Sequence, residues 1–396
     1  MQSASTLSAI VACAFLAGCA AGHHAAPPAA DAVPHFTCVR LEGMGGSPFG
    51  IGTGDWNGDG QPDLVISSAE LGGVTPYLNA GQRRFTPQPI VHAGELSRHI
   101  AVADINGDGH LDLAVANAES HNVAILIGDG NGGFQNNKQY RTGISPFDVA
   151  FADFDGDGRL DLVIVNESNA AISGNTGFVS VLFGQEDGFS QPVQLTAGDR
   201  PSAVAVAELN GQPGLDLAVT NWKSNTVSIF LNSGARTFRH SDEIAYGGGI
   251  PYGPGRPYSV AAGDFDQDGA TDLAVTDLST NTVVILFGDG HGAFPRHASY
   301  KAGNGVRHVV SVDLNGDGVL DLVTANTSGD SVSMLMGQRG GTFAPAQQFP
   351  VGRGPRVVHA VDLDGDGKPD LVVTNAAAGT VSLLFQTDGD SRWCPQ

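Results

Sequence analysis

The chain has 396 residues, 41% of them hydrophobic, with 55 glycines and a formal net charge of -21. That length and glycine content suit a turn-rich globular protein with a substantial core, and the negative charge makes nucleic acid a poor partner. No run of 18 apolar residues exists, which excludes a membrane-spanning helix on length.

Residues 1–18 carry a short apolar run followed by small residues, the pattern of an export signal. Leu16, Ala17, Gly18 and Cys19 resemble the bacterial lipobox. The resemblance implies a lipid on Cys19, a mature chain that starts there, and a lipid anchor as the sole attachment to the cell envelope. The leading segment has no Lys or Arg, and an ordinary signal cleaved nearby is the alternative. Residues 19–35 are rich in Ala and Pro without apolar periodicity and read as an extended tether; His23 and His24 within it are expected to be solvated. Two cysteines remain, Cys38 and Cys394, and in an exported protein such a pair is expected to be oxidised.

From residue 36 to the end the chain repeats. Seven segments share one frame: DWNGDGQPD from Asp55, DINGDGHLD from Asp104, DFDGDGRLD from Asp153, ELNGQPGLD from Glu208, DFDQDGATD from Asp264, DLNGDGVLD from Asp313 and DLDGDGKPD from Asp362. Their starts lie 49, 49, 55, 56, 49 and 49 residues apart. Around each acidic turn stand short apolar runs separated by turn residues, giving four strands per unit. The first run of a unit, as in Val204–Ala207, is small or β-branched throughout and is expected to be buried on both faces near a crowded axis. Seven such units predict an all-β, seven-bladed β-propeller. An open solenoid would need atypical terminal repeats, yet the first and last acidic turns are complete. The last unit lacks a fourth strand, while HFTCVRLEG at 35–43 looks like an orphan one, so the N-terminal strand is expected to complete blade seven and bring Cys38 near Cys394.

In each acidic turn Asp, Asp or Asn, and Asp occupy positions 1, 3 and 5, Gly position 6 and Asp position 9. Alternate residues can then aim oxygens at one centre, as in an EF-hand loop. Hard oxygens without His or Cys select calcium or magnesium, and a flexible carboxylate ring favours calcium. These turns resemble the FG-GAP, or VCBS, repeats of the integrin α-chain propeller and of many exported bacterial proteins. The resemblance implies as calcium ligands Asp55, Asn57, Asp59 and Asp63; Asp104, Asn106, Asp108 and Asp112; Asp153, Asp155, Asp157 and Asp161; Asp264, Asp266, Asp268 and Asp272; Asp313, Asn315, Asp317 and Asp321; and Asp362, Asp364, Asp366 and Asp370. Unit four departs, with Glu208, Gln212 and Pro213, and no metal is expected there. Six Ca²⁺ would bring the formal charge from -21 to -9.

Strand alternation puts the acidic turns on one face of the ring and the second and fourth connections on the other. Both interruptions of the period, at 166–178 and 246–258, fall on that second face. Six residues before the acidic turns stand Phe49, Arg98, Phe147, Ser202, Tyr258, Arg307 and Arg356, with Arg200, Arg256 and Arg353 just ahead of that ring and His99 and His308 after it. Arginines and aromatics at a rim suit an anionic or sugar-bearing ligand or a protein partner, so Arg98, Arg200, Arg256, Tyr258, Arg307 and Arg356 are the candidate ligand residues. The main expectation is a non-catalytic binding or scaffold propeller. The alternative is a carbohydrate-active enzyme such as a polysaccharide lyase, with Arg256, Tyr258 and His308 together neutralising and deprotonating a uronic acid. The sequence holds no nucleophile motif and no zinc spacing; His110 and His291 read as exposed turn residues.

Overall fold

The computed structural model describes residues 33–167, 177–245, 255–389, 391, 392 and 394. The signal, Cys19 and most of the tether lie outside them, as do 168–176 and 246–254 within the two long connections.

The described residues form seven antiparallel blade sheets, with two further two-stranded ribbons, Gly184–Gln185 with Gly188–Phe189 and Gly337–Gln338 with Thr342–Phe343. Blade one begins with the strand Pro48–Gly54 and blades two to seven with Ser97–Ala103, Pro146–Ala152, Pro201–Ala207, Pro257–Gly263, Val306–Val312 and Pro355–Val361. Within blades one to six the strands follow in chain order outward from the axis, and blade seven does so for its first three. These innermost strands contact one another in sequence, and that of blade seven also contacts that of blade one, so the ring is closed. The seal is the expected one: His35–Leu41 pairs antiparallel with Thr380–Thr387, Cys38 opposite Leu384. A disulfide joins Cys38 to Cys394, 356 residues apart in sequence.

Burial falls differently from the expectation for the first strands. The second strands, such as Asp63–Ser68, Asp161–Asn166 and Asp370–Asn375, are buried at every position. In the innermost strands buried residues are mixed with half-buried ones, as in Pro201–Ala207. A first strand has a neighbour blade on each side but the axis at its edge. The second strand is sandwiched between two blades and paired on both edges, and so takes the densest packing. The core is accordingly a chain of clusters between adjacent blades, such as Val163, Val165 and Val179 of blade three against Leu217, Val219 and Phe230 of blade four.

Each innermost strand also carries a β-bulge near its start, with the register shifting between Ser97 and Ile100, Pro257 and Val260, or Pro355 and Val358.

Candidate functional site

The acidic turns are built first from backbone geometry. In blade one Asp55 accepts the N–H groups of Gly58 and Gly60 at 2.7 and 2.8 Å, and Asp59 accepts that of Gln61 at 2.8 Å. The chain bends this tightly with Gly58 and Gly60 at φ of 75° and 83°, a region glycine enters without a Cβ penalty; in blade five Gln267 takes the place of Gly58 at φ 63°. The position-9 aspartate does something that spacing alone did not reveal. Asp63 is fully buried and accepts one bond from Trp56 N–H at the start of the turn and one from Asn79 N–H at the end of the third strand. The same two-handed bond recurs at Asp112, Asp161, Asp272, Asp321 and Asp370.

Unit four has it as well, at Asp216. There Asn210 adds a third donor to Asp216 at 2.8 Å, so a neutral amide occupies the side of the carboxylate that the other loops turn toward their acids. The position-9 residue is therefore a structural staple whether or not a metal is bound, a role its presence in the degenerate loop could have signalled.

Burial raises the Asp63, Asp161 and Asp272 pKa to about 6 and that of Asp321 and Asp370 to about 7, with neighbouring loop carboxylates adding to the rise. A divalent cation among these groups would reverse that shift. In blades three, five and seven the acids of positions 1, 3 and 9 converge: carboxylate oxygens of Asp153, Asp155 and Asp161, of Asp264, Asp266 and Asp272, and of Asp362, Asp364 and Asp370 lie within 4.8 Å of one another. These all-oxygen sets fit a hard divalent ion. The position-5 acids stand beside them, Asp157 accepting Arg159 N–H at 2.9 Å. In blades one, two and six position 3 is an asparagine whose amide donates to the position-5 acid, at 3.1 Å between Asn57 and Asp59.

Three of the position-3 acids have a partner that the sequence reading missed. Asp364 pairs with Arg83 at 2.8 Å, Asp155 with Arg236 at 2.6 Å and Asp266 with Arg296 at 2.6 Å. Each guanidinium also lies over a phenylalanine at the end of a third strand, Phe385, Phe183 or Phe287, at 4.6, 4.9 and 4.5 Å. The corresponding residues of the other blades are Leu78, Ile127, Leu231 and Met336. The co-occurrence of Asp at position 3 with Phe at that strand end was the available signal.

On the opposite end of the axis the ring of residues six positions ahead of the loops is brought together, and it fills the opening. Phe49 meets Phe147 at 5.7 Å and Phe147 meets Tyr258 at 5.7 Å, contacts that join blades one, three and five across the axis. Arg98 lies over Phe147 at 4.3 Å, Arg307 over Tyr258 at 4.2 Å and Arg356 over Phe49 at 5.7 Å. Arg307 also donates to the Tyr258 hydroxyl. Burial raises the Tyr258 pKa more strongly than Arg307, Arg98 and Arg356 lower it. Glu167, at the start of the long second connection of blade three, receives Arg98 at 3.2 Å and Arg200 at 3.6 Å, and Arg200 lies over Trp222. Arg256 and Arg353 are exposed residues outside this group. Beneath the plug, His99 contacts Asp148 at 3.2 Å and His308 ring to ring at 5.9 Å. The Nε atoms of Arg200, Arg307 and Arg356 and the Nδ1 of His308 are buried without a hydrogen-bond partner.

The family model described as FG-GAP-like repeat matches residues 55–115, 104–164, 209–275, 264–324 and 313–373. No curated protein matches. Among solved structures, virginiamycin B lyase from Staphylococcus aureus superposes with a TM-score of 0.59 at 14% identity, covering 89% of this chain and 100% of that one. BBS1N in complex with ARL6DN superposes at 0.62 and 13% identity, covering 91% and 98%. An Agrocybe aegerita lectin that recognises non-reducing terminal N-acetylglucosamine superposes at 0.52 and 17% identity, covering 90% and 87%. Identities this low establish the shared propeller fold alone.

Proposed function

The chain belongs to the FG-GAP-like repeat family, and from that premise we propose that it is a calcium-stabilised, non-catalytic binding propeller, exported and displayed on the bacterial envelope through a lipid on Cys19. Calcium is supported by six loops whose donors are all hard oxygens on a flexible turn. The amide of Asn210 against Asp216 supports leaving blade four out of this set. The ions serve structure, since one loop design recurs in six blades around the ring. The disulfide agrees with an oxidising compartment outside the cytoplasm.

The ligand end is the arginine and aromatic plug, and one observation carries that assignment. Of the four arginines gathered there, Arg98 and Arg200 pair with Glu167, Arg307 and Arg356 have no carboxylate within ion-pair distance among the described residues, and Arg200, Arg307 and Arg356 each keep a buried Nε without an acceptor. Leaving a buried donor unpaired costs roughly 1–3 kcal/mol, so an anionic group brought by a glycan or protein partner would be held there by acceptors the protein itself lacks. The lyase reading is weaker on the same geometry. Tyr258 already receives Arg307, its pKa is raised, and Arg256 stands outside the group.

A glycan array probed in calcium and in EGTA, with Arg307→Gln and Arg356→Gln alongside, tests the proposal. Retention of acidic glycans or a protein ligand that both variants weaken, without unsaturated product, is expected. Release of unsaturated product would replace binding with turnover, and equal retention by the variants would remove the plug as the site.

A further inference from the structure

The calcium loops come in two kinds. Those of blades one, two and six contain three aspartates and an asparagine and carry a formal charge of -3; those of blades three, five and seven contain four aspartates and carry -4. Arg236, Arg296 and Arg83 pair with the added carboxylates, Asp155, Asp266 and Asp364. Among the described residues no arginine or lysine pairs with a ligand aspartate of blades one, two or six. Counting the arginine that pairs with its position-3 aspartate, each four-aspartate loop comes to the -3 of the asparagine loops; in blade three the loop's own Arg159 also lies 3.4 Å from Asp157.

Two of the arginines are positioned at a conformational cost. Arg83 and Arg236 occupy the tight turns that enter the outer strands of blades one and four, with φ of 61° and 62°. A side chain in that region costs on the order of 1 kcal/mol, and glycine would adopt it freely. Both turns reach across to the loop of the preceding blade: Arg83 to blade seven and Arg236 to blade three. Arg296 reaches the loop of its own blade from the start of the strand Arg296–Lys301. In all three cases the aromatic ring beneath the guanidinium fixes it beside the acid, and Asp155 and Asp266 are 7% and 8% exposed, unlike the partners of an ordinary surface ion pair.

We propose that Arg83, Arg236 and Arg296 are charge-setting partners of three calcium sites. Each holds the outer oxygen of the position-3 aspartate, leaves the inner one for the ion, and brings a four-carboxylate loop to the charge of a three-carboxylate loop. Arg83 and Arg236 thereby link an ion in one blade to a turn of the next. The inference rests on calcium occupying the loops.

The sign of the effect separates this role from that of a simple structural ion pair. Removing a positive charge close to a bound ion strengthens its binding, by about tenfold for partly screened charges at that range. A ligand-orienting or merely stabilising contact would give weaker binding or none of this change. Calcium titration by calorimetry on the purified full chain, with metal content from atomic emission, provides the readout. The triple variant R83Q/R236Q/R296Q is expected to split six similar sites into three tighter by about tenfold and three unchanged. Adding D155N, D266N and D364N converts those loops to the asparagine kind and should return one class of six. The single variant R236Q, which leaves two of the three pairs intact, gives the same test at one site if the triple variant is poorly folded. Unchanged or weakened affinity with six ions still bound overturns the charge-setting role. Failure of the wild-type chain to bind any calcium instead overturns the reading of the loops themselves.

Discussion

Thr374 donates its hydroxyl hydrogen at 2.8 Å to the carbonyl oxygen of Phe49, 325 residues earlier in the chain. The same hydroxyl accepts the N–H of Val357 at 3.2 Å, at the bulge of its own innermost strand. Thr276 repeats the relay with Ser259 N–H and the Arg307 carbonyl, and Ser67 does so with Gly50 N–H and the Arg98 carbonyl. In blades one, five and seven the bulge thus supplies a free amide, and a hydroxyl on the second strand passes the bond to the next blade.

Thr374→Val keeps the shape of the side chain and leaves two backbone groups without their partner. The expected loss is about 1–3 kcal/mol at the seam between blades seven and one. Urea denaturation of wild type and variant in saturating calcium measures it; equal midpoints at equal slope would show that the relay contributes nothing to closure.

The disulfide between Cys38 and Cys394 encloses almost the entire ring. In the chain-entropy model a loop of that size contributes on the order of 4–6 kcal/mol, and measured values often fall below the model. Replacing both cysteines by serine should lower the melting temperature by several degrees, and reductant should move the wild type toward the variant. A wild type indifferent to reductant would contradict the linkage.

Calcium should raise the melting temperature of the wild-type protein, and EGTA should lower it. Asp153→Ala with Asp157→Ala should remove part of the calcium-dependent gain and one bound ion, whereas Glu208→Ala in blade four should leave the count of six unchanged. Asp216→Ala offers the contrast: it should destabilise the protein equally with and without calcium, because it removes bonds to Leu209 and Asn232 N–H and to Asn210. An ion count that falls in Glu208→Ala would place a metal in blade four.

Acid stability should depend on the histidines below the plug. Burial, then the nearby His99, pushes the pKa of His359 down to about 4, and burial with His99 and His359 pushes that of His308 down to about 3. Their folded values lie below the unfolded value near 6.5, so the unfolded chain takes up protons first. Stability is therefore held above about pH 6.5 and lost as pH falls toward 4. With calcium saturating, His359→Gln should flatten that acid limb relative to wild type by about 3 kcal/mol. Parallel curves for the two proteins would show that His359 is not buried in its neutral form.

The repeat made the fold legible from sequence. Seven acidic turns at near-equal spacing specify blade number, and the orphan HFTCVRLEG specifies how the ring closes, because both are local patterns repeated in one chain. The candidate site was legible only at the level of the individual loop. Position 9 looked like a metal ligand by analogy, while its bonds to Trp56 and Asn79 depend on where the third strand ends. Arg83 looked like one of several turn residues, since nothing local says that its turn in blade one abuts Asp364 of blade seven. The six arginines were gathered by strand offset. Offset finds which residues share a height on the ring, but the aromatic contacts across the axis decide which of them meet, and they select Arg98, Arg307 and Arg356 around Tyr258.

Pairing of His35–Leu41 with Thr380–Thr387 has a consequence for biogenesis. Among the described residues this early strand must wait, unmatched, for a hairpin made about 340 residues later, so blade seven gains its outer hydrogen bonds only once Thr380–Thr387 has been synthesised. Until then an edge stays open to unwanted strand addition, and keeping the polypeptide apart from its neighbours during passage out of the cell becomes a requirement of the architecture.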